Sequence, residues 1–484
     1  MQNSITTLNP ATGETLAVYP FASASELEAA LAQSSSAFSL WKNVPIADRA
    51  SYLVRFAQVL RQYRDVLADA ITQEMGKPVM QARAEVEKSA ALCDWYASEG
   101  PAMLAPEPTQ VDNGHAEIAY RPLGTILAVM PWNFPVWQVL RGAVPAMLAG
   151  NTFLLKPAPN VAGSTQLLLQ AAAEAGLPVG VFSVINATND GVSAAIKDDR
   201  IAAVTLTGSV RAGAAIASQA GAALKKSVME LGGADAFIVL KDANLDEAVR
   251  AALLGRFQNG GQVCAAAKRL IVEEAILPAF TEKFVAMARE MKIGDPTDEA
   301  TYIGPMARYD LRDELDAQVQ ATLSEGATLL MGGEKIAGAG NYYAPTVLSN
   351  VTPEMTAFRE ELFGPVASII AARDADHAVT LANDSDFGLS ATIYTADTAL
   401  AEAMTVQLEC GGVFINGISA SDPRVAFGGV KKSGYGRELS HFGLREFCNA
   451  QTVWRTVKDK LALAGADNRI MQVQALPETL FSIA

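Results

Sequence analysis

Residues 201–231 read IAAVTLTGSVRAGAAIASQAGAALKKSVMEL, and their pattern decides the fold. The first seven residues form an apolar run of strand length. Residues 210–222 are long enough for a helix, and 226–231 return to strand character. The same rhythm holds upstream. Residues 151–156 (NTFLLK) predict a strand, 163–175 a helix, 181–185 a strand and 191–197 a short helix. Such alternation predicts a parallel sheet covered by helices, which binds nucleotides at the carboxyl ends of its strands. Before it, 115–121 alternates polar and apolar residues, and 124–130 is continuously apolar and therefore central. After it, a second alternating region runs from Phe237 to about Ser433, with a strand at 269–272 and helices at 277–291 and 310–325. Its glycine-rich turns are 338–343, 360–366 and 427–437. Helices are expected at 25–39, 48–76 and 79–100, with a proline-rich break at 101–108. Residues 447–455 predict a last edge strand, and 456–484 a tail without a clear element.

At 484 residues the chain exceeds a single core, and a composition of 50% apolar and 19% charged residues is globular. The net charge of −14, with no long basic run, argues against nucleic acid and anionic membranes as partners. An acidic substrate would need a local positive pocket. Cys93, Cys264, Cys410 and Cys448 form no CxxC pair, and His115, His377 and His441 show no metal spacing. A reduced, cytoplasmic protein without a disulfide frame or a metal site is expected. The polar N-terminus carries no apolar signal segment, and the longest uncharged run, 122–140, is interrupted by Pro131, Asn133 and Pro135.

Several residues could carry chemistry. Cys264 lies in FQNGGQVCAAAKR among small residues, where a carbonyl could reach the thiol; an inert packed cysteine is the alternative. Glu230 ends an apolar strand, either structurally paired or poised as a general base. Asn133, held between Pro131 and Pro135, is a turn residue or an oxyanion donor. Lys156 closes a strand where it can donate to ribose hydroxyls, or is a surface lysine. Gly208 and Ser209 begin a helix that can hold a phosphate, although the GxGxxG fingerprint is absent. Arg141 is the only charged residue between Arg121 and Lys156. A guanidinium in so apolar a stretch needs an anion, either a substrate carboxylate or an internal partner. If the segment from Phe134 is helical, Asn133, Trp137 and Arg141 share one face.

Together the segments PWNFP, KPAPN, TGSVRAG, MELGG, NGGQVC, EELFGPV and FGGVKKSGYGRE resemble the aldehyde dehydrogenase superfamily in order and approximate spacing, from Asn9 to about Trp454. The resemblance implies an α/β fold of two doubly wound parallel-sheet domains, nucleotide-binding and catalytic, with a small β oligomerisation flap. On that reading 1–103 and 123–231 form the nucleotide-binding domain and 232–433 the catalytic domain. Residues 104–122 and 434–458 form the flap, and 459–484 a C-terminal tail. It also implies a homodimer or homotetramer. Cys264 would be the nucleophile, Glu230 the general base, and Asn133 with the Cys264 backbone N–H the oxyanion hole. Lys156 and Glu361 would bind ribose hydroxyls and Ser209 the pyrophosphate. Met130, Pro131, Trp132, Gly208, Leu231 and Phe363 would line the cofactor cleft.

Within the superfamily the chain looks most like bacterial succinate-semialdehyde dehydrogenases. The resemblance implies a substrate pocket of Trp137, Arg141, Ser421 and Phe427, with Arg141 and Ser421 on the distal carboxylate. It implies NAD as cofactor, with NADP tolerated, because Pro159 stands where many NAD-preferring members carry a glutamate that would repel a 2′-phosphate. Glutarate semialdehyde is the alternative substrate. A cofactor-free Cys–His thiol hydrolase would leave the strand–helix alternation unexplained, and a non-catalytic protein would have no reason to keep Cys264, Glu230 and Asn133 together.

Overall fold

The computed structural model describes residues 4–112 and 114–456. Two compact units emerge, one of residues up to Ala105 and Tyr120–Asn449, the other of Pro106–Ala119 and the chain from Ala450.

The first unit contains both expected sheets. One is six-stranded, in the order Gly434–Tyr435, Lys226–Glu230, Ile201–Thr207, Thr125–Val129, Thr152–Lys156, Phe182–Val184. Its last five strands are parallel, and Gly434–Tyr435 joins antiparallel to Lys226–Glu230. The chain winds outward from Thr125–Val129 in one direction and then, from Ile201–Thr207, in the other. That reversal opens a crevice at the carboxyl edge. The register sets Val129 opposite both Lys156 and Leu206, and Thr207 opposite Glu230. Residues leaving these strand ends therefore emerge at one edge. The helix Trp137–Ala149 packs beneath and is buried along its whole length, as its unbroken apolar sequence requires.

The other sheet is seven-stranded, in the order Thr328–Met331, Thr346–Ser349, Val366–Ala372, Ala267–Glu273, Asp235–Val239, Ser390–Tyr394, Gly412–Ile415. All neighbours are parallel except Thr328–Met331 with Thr346–Ser349. The expected boundary at 231/232 falls between the last parallel strand of the first sheet and Asp235–Val239, the first strand of the second in sequence.

In the second unit, Glu107–Val111 pairs antiparallel with Gly114–Pro122, and Cys448–Thr456 completes a three-stranded sheet. The strand expected at 447–455 is thus present at a sheet edge. The tail expected over 459–484 lies outside the described residues.

Three expectations change. The helix foreseen over 48–76 is two helices, Ile46–Gln62 and Arg64–Met75, separated at Tyr63, whose ψ of 0° lies outside the helical range. The break foreseen at 101–108 comes later, because Val79–Met103 carries Pro101 in its last turn. There the ring removes only one helical hydrogen bond. Residues 434–449 belong to the first unit rather than the flap: Gly434–Tyr435 adds to the six-stranded sheet, and the helix Ser440–Glu446 follows.

Candidate active site

The nucleophile candidate sits on a strained loop between the helix Leu245–Phe257 and the strand Ala267–Glu273. Asn259, Gly260 and Gly261 have φ of 52°, 61° and 73°, a left-handed run that glycine adopts without steric cost. A Cβ on Gly261 would lie 2.2 Å from the Gly364 carbonyl oxygen, so this loop and the EELFGPV loop meet backbone to backbone. Arg256, fully buried, clamps them: its guanidinium donates to the Leu362 carbonyl at 2.9 Å and also to those of Gly364 and Val366.

Cys264 is half-buried. Burial pushes its thiol up to about 11, against the pull of the Arg141 guanidinium and the Lys268 ammonium; Glu361 and Glu230 push the same way as burial. The resting group is therefore a thiol that must lose its proton to act. The Cys264 backbone N–H makes no hydrogen bond among the described residues, whereas its carbonyl accepts from Lys268 Nζ at 2.6 Å.

Asn133 lies on the loop before the helix Trp137–Ala149 rather than on the helix face foreseen from the sequence. Its Nδ2 donates to the Gln262 carbonyl at 3.0 Å, and Asn259 Nδ2 donates to the Asn133 carbonyl at 2.9 Å. An amide nitrogen has two donors, so one N–H fixes the side chain on the cysteine loop and the other makes no hydrogen bond among the described residues. Gln262 is tied at both ends in turn, Nε2 to the Asn259 carbonyl and Oε1 to the Ala307 N–H, each at 3.0 Å. Gln262 and Asn259 sit inside NGGQVC, yet nothing in the sequence alone assigned them this role.

Glu230 ends its strand 1% exposed, and neither carboxylate oxygen has a hydrogen-bond partner among the described residues. Its carboxyl is raised well above the usual range, by burial first and by Glu438 second, against Arg141 and Arg437. Gly428 gives it room, since a Cβ there would lie 2.6 Å from Glu230 Oε1.

Arg141 meets an anion from its own chain. It ion-pairs with the buried Glu438, and its guanidinium lies 4.6 Å from the Phe427 ring centroid. Phe427 and Glu438 exchange backbone hydrogen bonds of 2.8 Å, which fixes this geometry. Arg141 Nη2 has no partner among the described residues, so a donor remains. Glu438, in the quoted GYGRE segment, carried no sign in the sequence that it would reach Arg141. Beside this pair, Trp137 Nε1 and Lys88 Nζ both donate to Ser421 Oγ at 3.0 Å.

The remaining candidates line the crevice of the six-stranded sheet. Lys156 Nζ makes no ion pair among the described residues, and burial lowers its ammonium. The Met130 N–H donates to the Lys156 carbonyl at 3.1 Å. Pro131 follows Met130, and Pro159 opens the short turn Pro159–Val161. Trp132 and Phe363 meet edge to face at 5.8 Å. Leu231 packs where a Cβ on Gly213 would strike it at 2.4 Å, so the helix Val210–Ala222 approaches closely. Two residues are already engaged. Ser209 Oγ caps that helix by accepting from the Ala212 N–H at 3.3 Å, with the Gly208 N–H donating to the Glu230 carbonyl. Glu361 accepts from Lys268 Nζ at 2.8 Å and from the Gly233 N–H at 3.1 Å. Lys268, a further residue not singled out by sequence, thereby joins Glu361 to the Cys264 loop. Unpaired cationic Lys156, the orphaned buried Thr207 Oγ1, the aromatic wall and the close helix start together fit a dinucleotide.

Residues 1–453 match the Aldehyde dehydrogenase family over nearly the whole chain. The chain belongs to that family. The succinate semialdehyde dehydrogenase Sad of Escherichia coli (strain K12), named for NAD(P)+, is 66% identical over 448 residues, covering 93% of this chain and 97% of that protein. The NADP+ succinate-semialdehyde dehydrogenase of Mycolicibacterium paratuberculosis is 45% identical over 454 residues, covering 93% and 96%. A crystal structure of succinic semialdehyde dehydrogenase from Streptococcus pyogenes in complex with NADP+ superposes with a TM-score of 0.92 at 35% identity, covering 94% of this aldehyde dehydrogenase and 100% of that chain. Among the described residues no helix is long and apolar enough to cross a membrane.

Proposed function

We propose that this aldehyde dehydrogenase oxidises succinate semialdehyde to succinate with NAD or NADP. The observation that carries the chemistry is the convergence of three groups: a cysteine on a left-handed loop, an asparagine amide tied to that loop, and a buried glutamate with unpartnered oxygens. Cys264 Sγ, once deprotonated, adds to the aldehyde carbon. The second N–H of Asn133 and the free backbone N–H of Cys264 hold the resulting oxyanion. A nicotinamide cofactor, when bound, supplies the hydride acceptor. The acyl group left on Cys264 is a thioester, and Glu230 removes a proton from the water that attacks it. The unpaired, raised carboxyl of Glu230 suits that task because a base must be free to gain and lose a proton.

Lys156 would donate to ribose hydroxyls, with Trp132, Phe363, Leu231, Met130 and Pro131 as walls. Glu361 would reach ribose by exchanging one of its present donors. The absence of a carboxylate at Pro159 supports tolerance of the 2′-phosphate. At the far end, Arg141 Nη2, Ser421 and Trp137 support recognition of a carboxylate, and Phe427 holds the guanidinium in place. The substrate is named from the relatives together with this cationic end. The assembly is a homodimer or homotetramer through the three-stranded sheet, and the four free cysteines support a reducing, cytoplasmic setting. The test is a kinetic panel of succinate semialdehyde, glutarate semialdehyde and butanal with each cofactor. Succinate semialdehyde should give the highest kcat/KM; equal values for butanal would remove the substrate assignment.

A further inference from the structure

The far end of the site holds two cations in different circumstances. Arg141 is 1% exposed and its charge is matched by buried Glu438. Lys88, on the helix Val79–Met103, makes no ion pair among the described residues. Its Nζ lies 4.0 Å from the Trp137 ring centroid and donates to Ser421 Oγ at 3.0 Å. Ser421 also accepts from Trp137 Nε1. Two donors from two elements thus converge on one hydroxyl oxygen, and Lys88 has further protons to give. The adjacent acid, Asp422, is held by Arg424 through paired hydrogen bonds of 2.8 and 2.7 Å and forms no ion pair with Lys88 among the described residues, although its charge acts on the ammonium. Lys88 as a residue is exposed, yet desolvation around its Nζ first and Arg141 next push the ammonium down to about 8, with Asp422, Glu85 and Cys264 acting in the opposite direction. Lys88 therefore shares electrostatic space with Arg141 at one end and the Cys264 sulfur at the other.

We propose that Lys88 is the specificity-determining cation of this site, donating to the distal carboxylate of an ω-carboxylate aldehyde whose carbonyl lies at Cys264. This deepens the substrate reading above and rests on it. Buried Glu438 is ion-paired with Arg141. Arg141 alone therefore offers an incoming carboxylate no net charge, and Lys88 supplies it. The face of Trp137 holds the ammonium by cation–π attraction, while the Ser421 hydroxyl turns its own proton toward the bound anion.

The test compares the parent, Lys88→Met and Lys88→Arg with succinate semialdehyde and butanal. Lys88→Met should lower the kcat/KM ratio of succinate semialdehyde to butanal roughly tenfold to a hundredfold, the range of one hydrogen bond between charged groups. The loss should lie in KM, with the inhibition constant of succinate weakening in parallel. Lys88→Arg should restore most of the ratio. An unchanged ratio in Lys88→Met, or equal losses for both aldehydes, overturns the proposal while leaving the substrate reading intact. A parent enzyme with no preference for succinate semialdehyde overturns both.

Discussion

Two buried glutamates on neighbouring parts of the site differ in one respect. Glu85 is fully satisfied. Its Oε1 accepts from the backbone N–H groups of Val136 and Trp137 at 2.9 and 3.0 Å, and its Oε2 pairs with buried Lys77. Lys77 in turn lies 3.7 Å from the Phe134 ring centroid. The carboxylate therefore holds the start of the helix that bears Trp137 and Arg141, where free N–H groups and the helix dipole favour an anion. Glu230 is as deeply buried, and neither of its oxygens is paired. Burying an unpaired carboxylate costs stability, and a fold retains that cost where the group has work to do. Saturated hydrogen bonding gives Glu85 a holding role; its lack leaves Glu230 available for the base role proposed above.

The largest expected effect follows from Glu230. Glu230→Gln should lower steady-state turnover by about 10²- to 10⁴-fold, the usual contribution of a general base. Thermal stability should hold or rise, since no native partner is lost. A fall in Tm with turnover intact would reverse the roles assigned to the two residues. Glu85→Leu should do the opposite. It strands Lys77 and opens the helix start, destabilising the protein by about 3–5 kcal/mol in a denaturant or thermal melt; unchanged stability would break the comparison. The smallest effect concerns pH. The Cys264 thiol stands at about 11, above neutrality, so its thiolate fraction grows as pH rises. Iodoacetamide labelling should accelerate roughly tenfold per pH unit between about pH 7 and 9. A rate that is flat across that window would mean an already ionised thiol. Glu230, also raised, gains its basic form in the same direction, so hydrolysis should quicken with pH too.

Both sheets were legible because their signals are local. Apolar runs of strand length such as Ile201–Thr207 alternate with helical stretches, and turn residues mark the joins. Cys264, Glu230 and Asn133 stood out as candidates because they lie in short motifs, and the fold ties Asn133 to the Cys264 loop and buries Glu230 without a hydrogen-bond partner among the described residues. What escaped was set by distant pairing. Glu107–Val111, with Pro108 within it, has poor strand character alone and becomes a strand by pairing with Gly114–Pro122. Glu438 reaches Arg141 only through the Phe427 bridge, and Glu85 reaches Trp137 across 52 residues. The isolated guanidinium was rightly read as needing an anion; sequence alone could not say which. The resemblance implied Ser209 and Glu361 as cofactor contacts; the fold in addition gives each a partner of its own.

The most direct test of the central claim is intact-protein and peptide mass spectrometry of Glu230→Gln after brief exposure to succinate semialdehyde and cofactor. With deacylation slowed, the Cys264 peptide should carry one succinyl group, formed with a matching burst of reduced cofactor. A burst without acylation of Cys264, or an acyl group on another residue, would contradict the account.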